Sequence, residues 1–217
     1  MHPTDCPDWE YRRHPNTSAT LPQRVANLLI SLRTGTLAPR GLCADTRPTH
    51  ALLFAGLTPQ SCAYYAGNYR GSPHRCLQYY PVGVPADPRV GIAPTQVPNA
   101  MRRFHSDLSS ALGVLDRTHQ IPNAQISREL KLFYTVVVCA RVFVDLLTIH
   151  PYANGNGHIA RLLIWSILGT FGWWPNRWPV EPRTKDPAYL TAILAYRNGN
   201  PQIMEQFILS CIAAAPP

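Results

Sequence analysis

The sequence predicts a mainly α-helical domain with one small β-hairpin beside the helices. Residues 98–115 place Met101, Phe104, Leu108, Leu112 and Leu115 on one stripe, the spacing of an amphipathic helix. Residues 127–149 carry two stripes, one of Leu130, Phe133, Tyr134 and Val137 and one of Val136, Ala140, Phe143 and Leu147. A helix apolar on two faces belongs at the centre of a bundle. Only one stretch reads as strand. Around residues 75–84, Leu77-Gln78-Tyr79-Tyr80 stands between proline and glycine turn formers, a pattern that suggests a two-stranded hairpin.

The elements follow in order. Residues 1–20 are polar and punctuated by proline, as in an extended arm. Residues 21–32 space Val25, Leu28, Leu29 and Leu32 as a short amphipathic helix that stops at Gly35, a usual helix terminator. A loop with Pro39 and Gly41 leads to a short apolar helix over residues 49–57. Residues 64–95, which hold the hairpin, are the least regular part. After the 98–115 helix, residues 116–123 make a turn, and Ser127 caps the long helix. Arg141 and Asp145 sit four apart on it as an exposed pair. Residues 159–171 form another apolar helix. Trp173, Trp174 and Trp178 then read as packing wedges rather than a ligand cage. Residues 187–198 and 201–213 close the fold. The division expected is an arm with a short helix over 1–45 and a main domain over 46–217, its core about 50–180 and its closing helices 187–213.

Composition narrows the classes. A chain of 217 residues with 46% hydrophobic content is long enough for one domain with a proper core. No uninterrupted apolar run reaches about 18 residues, so no membrane span is expected. Met1-His2-Pro3-Thr4-Asp5 lacks the basic flank and apolar stretch of a secretory signal, which points to the cytoplasm. Substrates of specialised secretion machines need not carry such a signal, so export stays open. The formal charge of +8 is spread over scattered basic residues such as Arg12-Arg13 and Arg102-Arg103. Without a dense basic block or interleaved aromatics, this argues against nucleic acid as a partner. The six cysteines are far apart with no Cys-x-x-Cys pair, neither a disulfide framework nor a zinc site, and they fit a reducing compartment. Cys139 and Cys211 lie in apolar helical stretches, as buried small hydrophobes. His150 and His158 match no common metal-ligand spacing.

The chemistry concentrates in His150-Pro151-Tyr152-Ala153-Asn154-Gly155-Asn156-Gly157-His158-Ile159-Ala160-Arg161. Gly155 and Gly157 allow a tight loop whose N–H groups converge, and the following helix adds its own N-terminal N–H groups and dipole. Such a loop holds an anion, phosphate above all. Asn-Gly pairs are also ordinary turn chemistry, so a plain helix–helix connection is the alternative. His150, near its unperturbed pKa, can act as a base at neutral pH. Arg161, one turn into the helix, can clamp a terminal phosphate through both arms of its guanidinium. Together they permit attack of an alcohol on the α-phosphate of a nucleotide, with pyrophosphate leaving.

This stretch resembles the signature of Fic-domain proteins, His-Pro-Phe, one residue, Asp or Glu, Gly-Asn-Gly-Arg, two residues, Arg. His150, Pro151, Gly155, Asn156, Gly157 and Arg161 match, and Tyr152 nearly does. Asn154 stands where the family has an acid, and His158 where it has an arginine. Ala66-Gly67-Asn68-Tyr69-Arg70 resembles the segment before the family's flap, and Gln96-Val97-Pro98-Asn99-Ala100-Met101 the start of its next helix. The resemblance implies a Fic-type helical bundle and transfer of AMP or another NMP, from ATP or another NTP, to a Ser, Thr or Tyr hydroxyl of a target protein. It implies His150 as the base and Asn154, Gly155, Asn156, Gly157, His158 and Arg161 around the phosphates. It also implies Mg²⁺ or Mn²⁺ at Asn154, bound weakly because carboxylate oxygen is preferred, and a target-docking flap through Leu77, Gln78, Tyr79 and Tyr80. If His158 must be protonated to hold phosphate, activity should rise as pH falls toward 6. The family's inhibitory motif, Ser or Thr, three residues, Glu, then Gly or Asn, does not occur in the chain. A toxin-like protein with a separate inhibitory partner fits that. The alternatives are a catalytically silent nucleotide-binding module and a variant that uses another phosphate-containing donor. The target and the oligomeric state have no signature in the sequence.

Overall fold

The longest apolar segment becomes the middle of the fold. In the computed structural model, which describes residues 3–84 and 87–212, helix α5 (Arg128–Ile149) starts where Ser127 Oγ accepts the Leu130 N–H. Its inner stripe, Val136, Cys139, Ala140, Phe143 and Leu146, is sealed from solvent. The other helices are α1 (Thr17–Arg33), α2 (Pro39–Ala44), α3 (Arg47–Phe54), α4 (Val97–Gln120), α6 (Asn156–Thr170), α7 (Pro187–Arg197) and α8 (Gln202–Ser210). Helix α6 is buried on every side from Ile159 to Leu168, and α5 lies among α4, α6 and α8. Each fully buried leucine, isoleucine or phenylalanine in this core contributes about 1.5–3 kcal/mol. Among the described residues α5 alone has the length and hydropathy of a membrane-crossing helix, and it is the core helix of the bundle.

The stripe expected on α4 is the buried one, Met101, Phe104, Leu108, Leu112 and Leu115. The helix runs five residues past Leu115 because nothing breaks it before Pro122. Trp173 and Trp178 are packed in the core, the latter edge-on to Phe143 and against Tyr189. Helices α7 and α8 lie within the stretches 187–198 and 201–213 read as helical; residue 213 lies outside the described residues.

Two expectations fail. No hairpin forms at 75–84. The chain there makes a series of turns, with an isolated antiparallel bridge between Val84 and Asp87. The reason is competition for the backbone: the Leu77 carbonyl accepts Gly71 N–H at 2.8 Å, and the Tyr80 carbonyl accepts Arg70 Nη1 at 3.2 Å. Neither is left for a ladder, and Pro81 brings no donor. The cysteines are not all free either. Cys6 and Cys76 form a disulfide, 70 residues apart in sequence, with Cα atoms 5.5 Å apart. Cys43, Cys62, Cys139 and Cys211 are free and buried. Disulfides persist in oxidising compartments, so the cysteines do not support a reducing one.

The disulfide belongs to a larger attachment. Residues 3–16 hold one short 3₁₀ turn, Tyr11–Arg13, and otherwise lie along the core. Trp9 donates its N–H to Tyr80 Oη and its indole N–H to the Leu57 carbonyl, both at 2.9 Å. Tyr65 Oη donates to the Pro7 carbonyl at 3.0 Å. Trp9 and Tyr11 are buried.

Several histidines are held neutral by burial. It takes His50 down to about 3 and His150 to about 4, and it lowers His105, His119 and His158. Folded values below the unfolded one mean that the unfolded chain binds protons first as pH falls. Stability is therefore lost from about pH 6.5 downward, by up to about 1.4 kcal/mol per pH unit for each proton. Urea midpoints measured from pH 7 to pH 4.5 should fall steadily; a flat profile would contradict burial of these rings.

Candidate active site

Helix α5 ends in a residue that no ordinary helix continuation allows. His150 has φ 54°, the left-handed region, which turns the chain sharply and aims its ring at a pocket of about 270 Å³. Nδ1–H donates to the Leu147 carbonyl at 3.2 Å. Nε2 is therefore the atom with the lone pair, and it has no partner among the described residues. Burial holds the ring down to about 4, helped by the charges of Arg70 and Arg197 and opposed by the bond to Leu147. The expected value near that of free histidine is thus replaced by a firmly neutral ring. At neutral pH the ring is unprotonated and can accept a proton.

The loop between α5 and α6 is held from within. Asn156 is buried, and its amide bridges the backbone of Tyr152: Oδ1 accepts that N–H at 2.8 Å and Nδ2 donates to that carbonyl at 2.9 Å. Tyr152 stacks on His50, ring centres 3.7 Å apart, and shares a hydrogen bond with Thr46 at 2.7 Å. His50 ties the loop to its surroundings, accepting Gly67 N–H through Nδ1 at 2.9 Å and donating through Nε2 to the Asn154 carbonyl at 3.0 Å. Gly155 has φ 79°, and a Cβ there would lie 2.3 Å from the Phe54 ring, so both conformation and space require glycine. With Gly155 as the cap of α6, the N–H groups of Asn156 and Gly157 have no acceptor within the helix. Both residues line the pocket that His150 also lines.

Three residues expected to handle phosphate are otherwise engaged. Asn154 donates Nδ2–H to the Trp9 carbonyl at 2.8 Å, and its Oδ1 accepts Gly155 N–H at 2.8 Å. Both ends of the amide are committed to the fold. A magnesium ion held by the protein does not fit this donor set: no carboxylate lines the pocket, and among the described residues no three His, Cys, Asp or Glu side chains cluster. His158 is buried between Tyr11 and Phe54, ring centres 5.4 and 5.5 Å away, and it hydrogen-bonds Glu181 through Nε2. Burial keeps it neutral against the pull of that acid, while the same bond lowers Glu181. A rise in activity toward pH 6 through His158 is therefore not expected. Arg161 reaches the pocket wall, but Nε and Nη2 both donate to the Val180 carbonyl, at 3.0 and 2.9 Å, and Nη1 lies 3.4 Å from Tyr189 Oη. Its fork is turned onto the backbone rather than left open as a clamp.

Of the expected docking residues, Leu77 and Tyr80 are buried and serve the core, while Gln78 and Tyr79 are exposed. None lines the pocket. The residues that sequence reasoning missed come from outside the loop. Tyr11 and Arg12 from the N-terminal segment, and Arg183 and Tyr189 from the other side, line the pocket with His150. No local pattern marks them.

Asn154→Asp tests these assignments. A carboxylate has no N–H for the Trp9 carbonyl, so restoring an acid should lower stability by about 1–3 kcal/mol. It should also yield no new Mg²⁺ binding by calorimetry. A variant of native melting temperature that acquires a magnesium site would show that Asn154 is not the attachment point described.

A model of the Fic/DOC family matches residues 45–168. No curated protein matches the chain. Two solved structures share its fold. The N-terminal Fic domain of a VirB-translocated Bep effector from Bartonella quintana superposes with a TM-score of 0.58 at 16% identity, over 91% of this chain and 80% of that one. The BepC effector of Bartonella tribocorum, solved with AMPPNP bound, gives 0.59 at 17% identity, over 90% and 88%.

Proposed function

The chain belongs to the Fic/DOC family, and from that premise we propose that it is a nucleotidyltransferase, moving AMP or another NMP from a nucleoside triphosphate to a hydroxyl of a target protein. The observation that carries the reading is one pocket shared by an unpartnered imidazole nitrogen and a helix N-terminus. His150, whose Nδ1 is bonded to Leu147, lines the same pocket as Asn156 and Gly157, the first residues of α6. The nucleotide bound by the BepC relative is the ligand such a pocket suits.

In this reading the target's Ser, Thr or Tyr hydroxyl gives its proton to Nε2 as its oxygen attacks the α-phosphorus. The bond from that phosphorus to the bridging oxygen breaks, and pyrophosphate leaves. The bond from Nδ1–H to the Leu147 carbonyl fixes the tautomer, so that the lone pair, not a proton, meets the hydroxyl. Charge that develops on the phosphoryl oxygens meets N–H donors already in place. Because the donor set does not fit a protein-held cation, no step is assigned to one. Control by a separate inhibitory protein remains part of the proposal.

One observation favours the silent module instead: the inward turn of Arg161 leaves the motif without a free cation. Incubation with each α-labelled nucleotide, with and without a cell lysate, separates the two. Label on a protein band, absent with a His150 variant, is expected of the transferase. Nucleotide that raises the melting temperature without labelling anything would identify the module.

A further inference from the structure

We propose that the terminal phosphates of the donor are held by Arg12 and Arg183, two arginines outside the loop between α5 and α6; this rests on the nucleotide-binding reading above. The loop itself offers N–H groups but no available cation. His158 is a neutral donor to Glu181, and the Arg161 fork is spent on Val180. Yet the pocket lining holds three arginines, Arg12, Arg161 and Arg183, and no carboxylate. Even with the Glu181 carboxylate bonded to His158 of this lining, three arginines leave the concave wall net positive, which attracts an anion.

Arg12 and Arg183 are the two that remain free to meet it. Both are exposed. The Arg12 guanidinium lies 5.2 Å from the centre of the Tyr11 ring; among the described residues it makes no ion pair, although its charge helps hold the Glu181 carboxyl low. The Arg183 side chain makes no hydrogen bond or ion pair among the described residues. Planar guanidinium groups suit paired phosphate oxygens.

The segments that carry them are fixed by the very residues that depart from the family signature. Asn154 holds the Trp9 carbonyl, three residues before Arg12. His158 packs on Tyr11 and bonds Glu181, two residues before Arg183. An aspartate at 154 could not donate to Trp9. An arginine at 158 would have to fit the space that a neutral ring fills between Tyr11 and Phe54. The two departures thus act together: they remove charge from the loop and anchor, on either side of it, a segment that ends in an arginine.

The test compares each nucleoside triphosphate with its monophosphate by calorimetry on the full chain. Wild type, Arg12→Ala, Arg183→Ala, the double variant and Arg13→Ala, a neighbour that does not line the pocket, are measured. Wild type should prefer the triphosphate. Each single variant should weaken triphosphate binding about tenfold and leave the monophosphate within about twofold, the double should lose the preference, and Arg13→Ala should keep it. Lysine at either position should restore part of the loss. Melting temperatures without nucleotide should not move, because both side chains are exposed. A double variant that keeps the wild-type preference overturns this inference and leaves the proposed function standing. So does a wild type that binds both nucleotides equally, or a variant that loses both together. A wild type that binds neither overturns both.

Discussion

His150→Asn is expected to reduce nucleotidyl transfer by about 10²–10⁴-fold while nucleotide affinity stays close to wild type. Asparagine suits the test better than alanine because the position has φ 54°. Asparagine tolerates the left-handed region, whereas alanine there costs about 1–2 kcal/mol. Affinity should survive because the imidazole is placed for the incoming hydroxyl, while the N–H groups of Asn156 and Gly157 meet phosphate. Such a split, with kcat lost and binding kept, is what removal of a base produces. The pH profile supplies a second test. The reactive form is neutral, so it is present above the folded pKa of about 4 and lost as pH falls through it. Wild-type transfer should be flat from pH 8 to 6 and fall below about pH 5, in assays short enough to precede acid unfolding. A rate that climbs toward pH 6 would reinstate a protonated His158 and refute the neutral pair with Glu181.

That result would also separate what the sequence made legible from what it did not. The loop was legible because its parts are contiguous: a histidine, two glycines, two asparagines and a helix start within twelve residues. The stripe on α4 and the inner stripe of α5 were legible because burial repeats at the helical period; the other stripe expected on α5 is not buried, with Leu130, Phe133 and Tyr134 exposed. The failures are all pairings across distance. Arg161 looked like a phosphate clamp because its position in the turn is local information. The Val180 carbonyl that takes its fork comes 19 residues later on a proline-rich segment, and no period announces it. The 75–84 stretch had the composition of a hairpin, yet Arg70 and Gly71, upstream in the chain, claim the Tyr80 and Leu77 carbonyls. Cys6 and Cys76 are 70 residues apart, with nothing near either to suggest the other. Arg12 was visible only as half of an ordinary basic pair. Its place at the pocket depends on Asn154 reaching Trp9, and in the sequence Asn154 read as a weakened metal ligand.

Arg70→Met is expected to be among the most destabilising single substitutions in this chain, by about 3–5 kcal/mol. Arg70 has no solvent exposure and, among the described residues, no acid partner. Its guanidinium satisfies four carbonyls: Nε donates to His150 at 2.8 Å, Nη2 to Ile149 and Ile92 at 3.1 Å each, and Nη1 to Tyr80 at 3.2 Å. Two of those carbonyls stand at the C-terminal end of α5, where the dipole favours a cation. Burial lowers the group to about 10, so it stays charged at neutral pH. Methionine would fill much of the volume but leave four buried acceptors without donors. Arg70→Lys keeps the charge but not the fork, and one ammonium cannot span carbonyls from three segments. It should fold with reduced stability and loosen the left-handed turn at His150. Its kcat should therefore fall more than its nucleotide affinity, the pattern of a positioning residue. Arg141 offers the contrast. Its pair with Asp145 is 66% and 47% exposed, and its removal should change stability by less than about 0.5 kcal/mol. Urea denaturation of the three variants at one pH decides the ranking. If Arg70→Met lost no more than Arg141→Ala, water would have to reach those carbonyls, and the sealed turn behind His150 could not be what aims its ring.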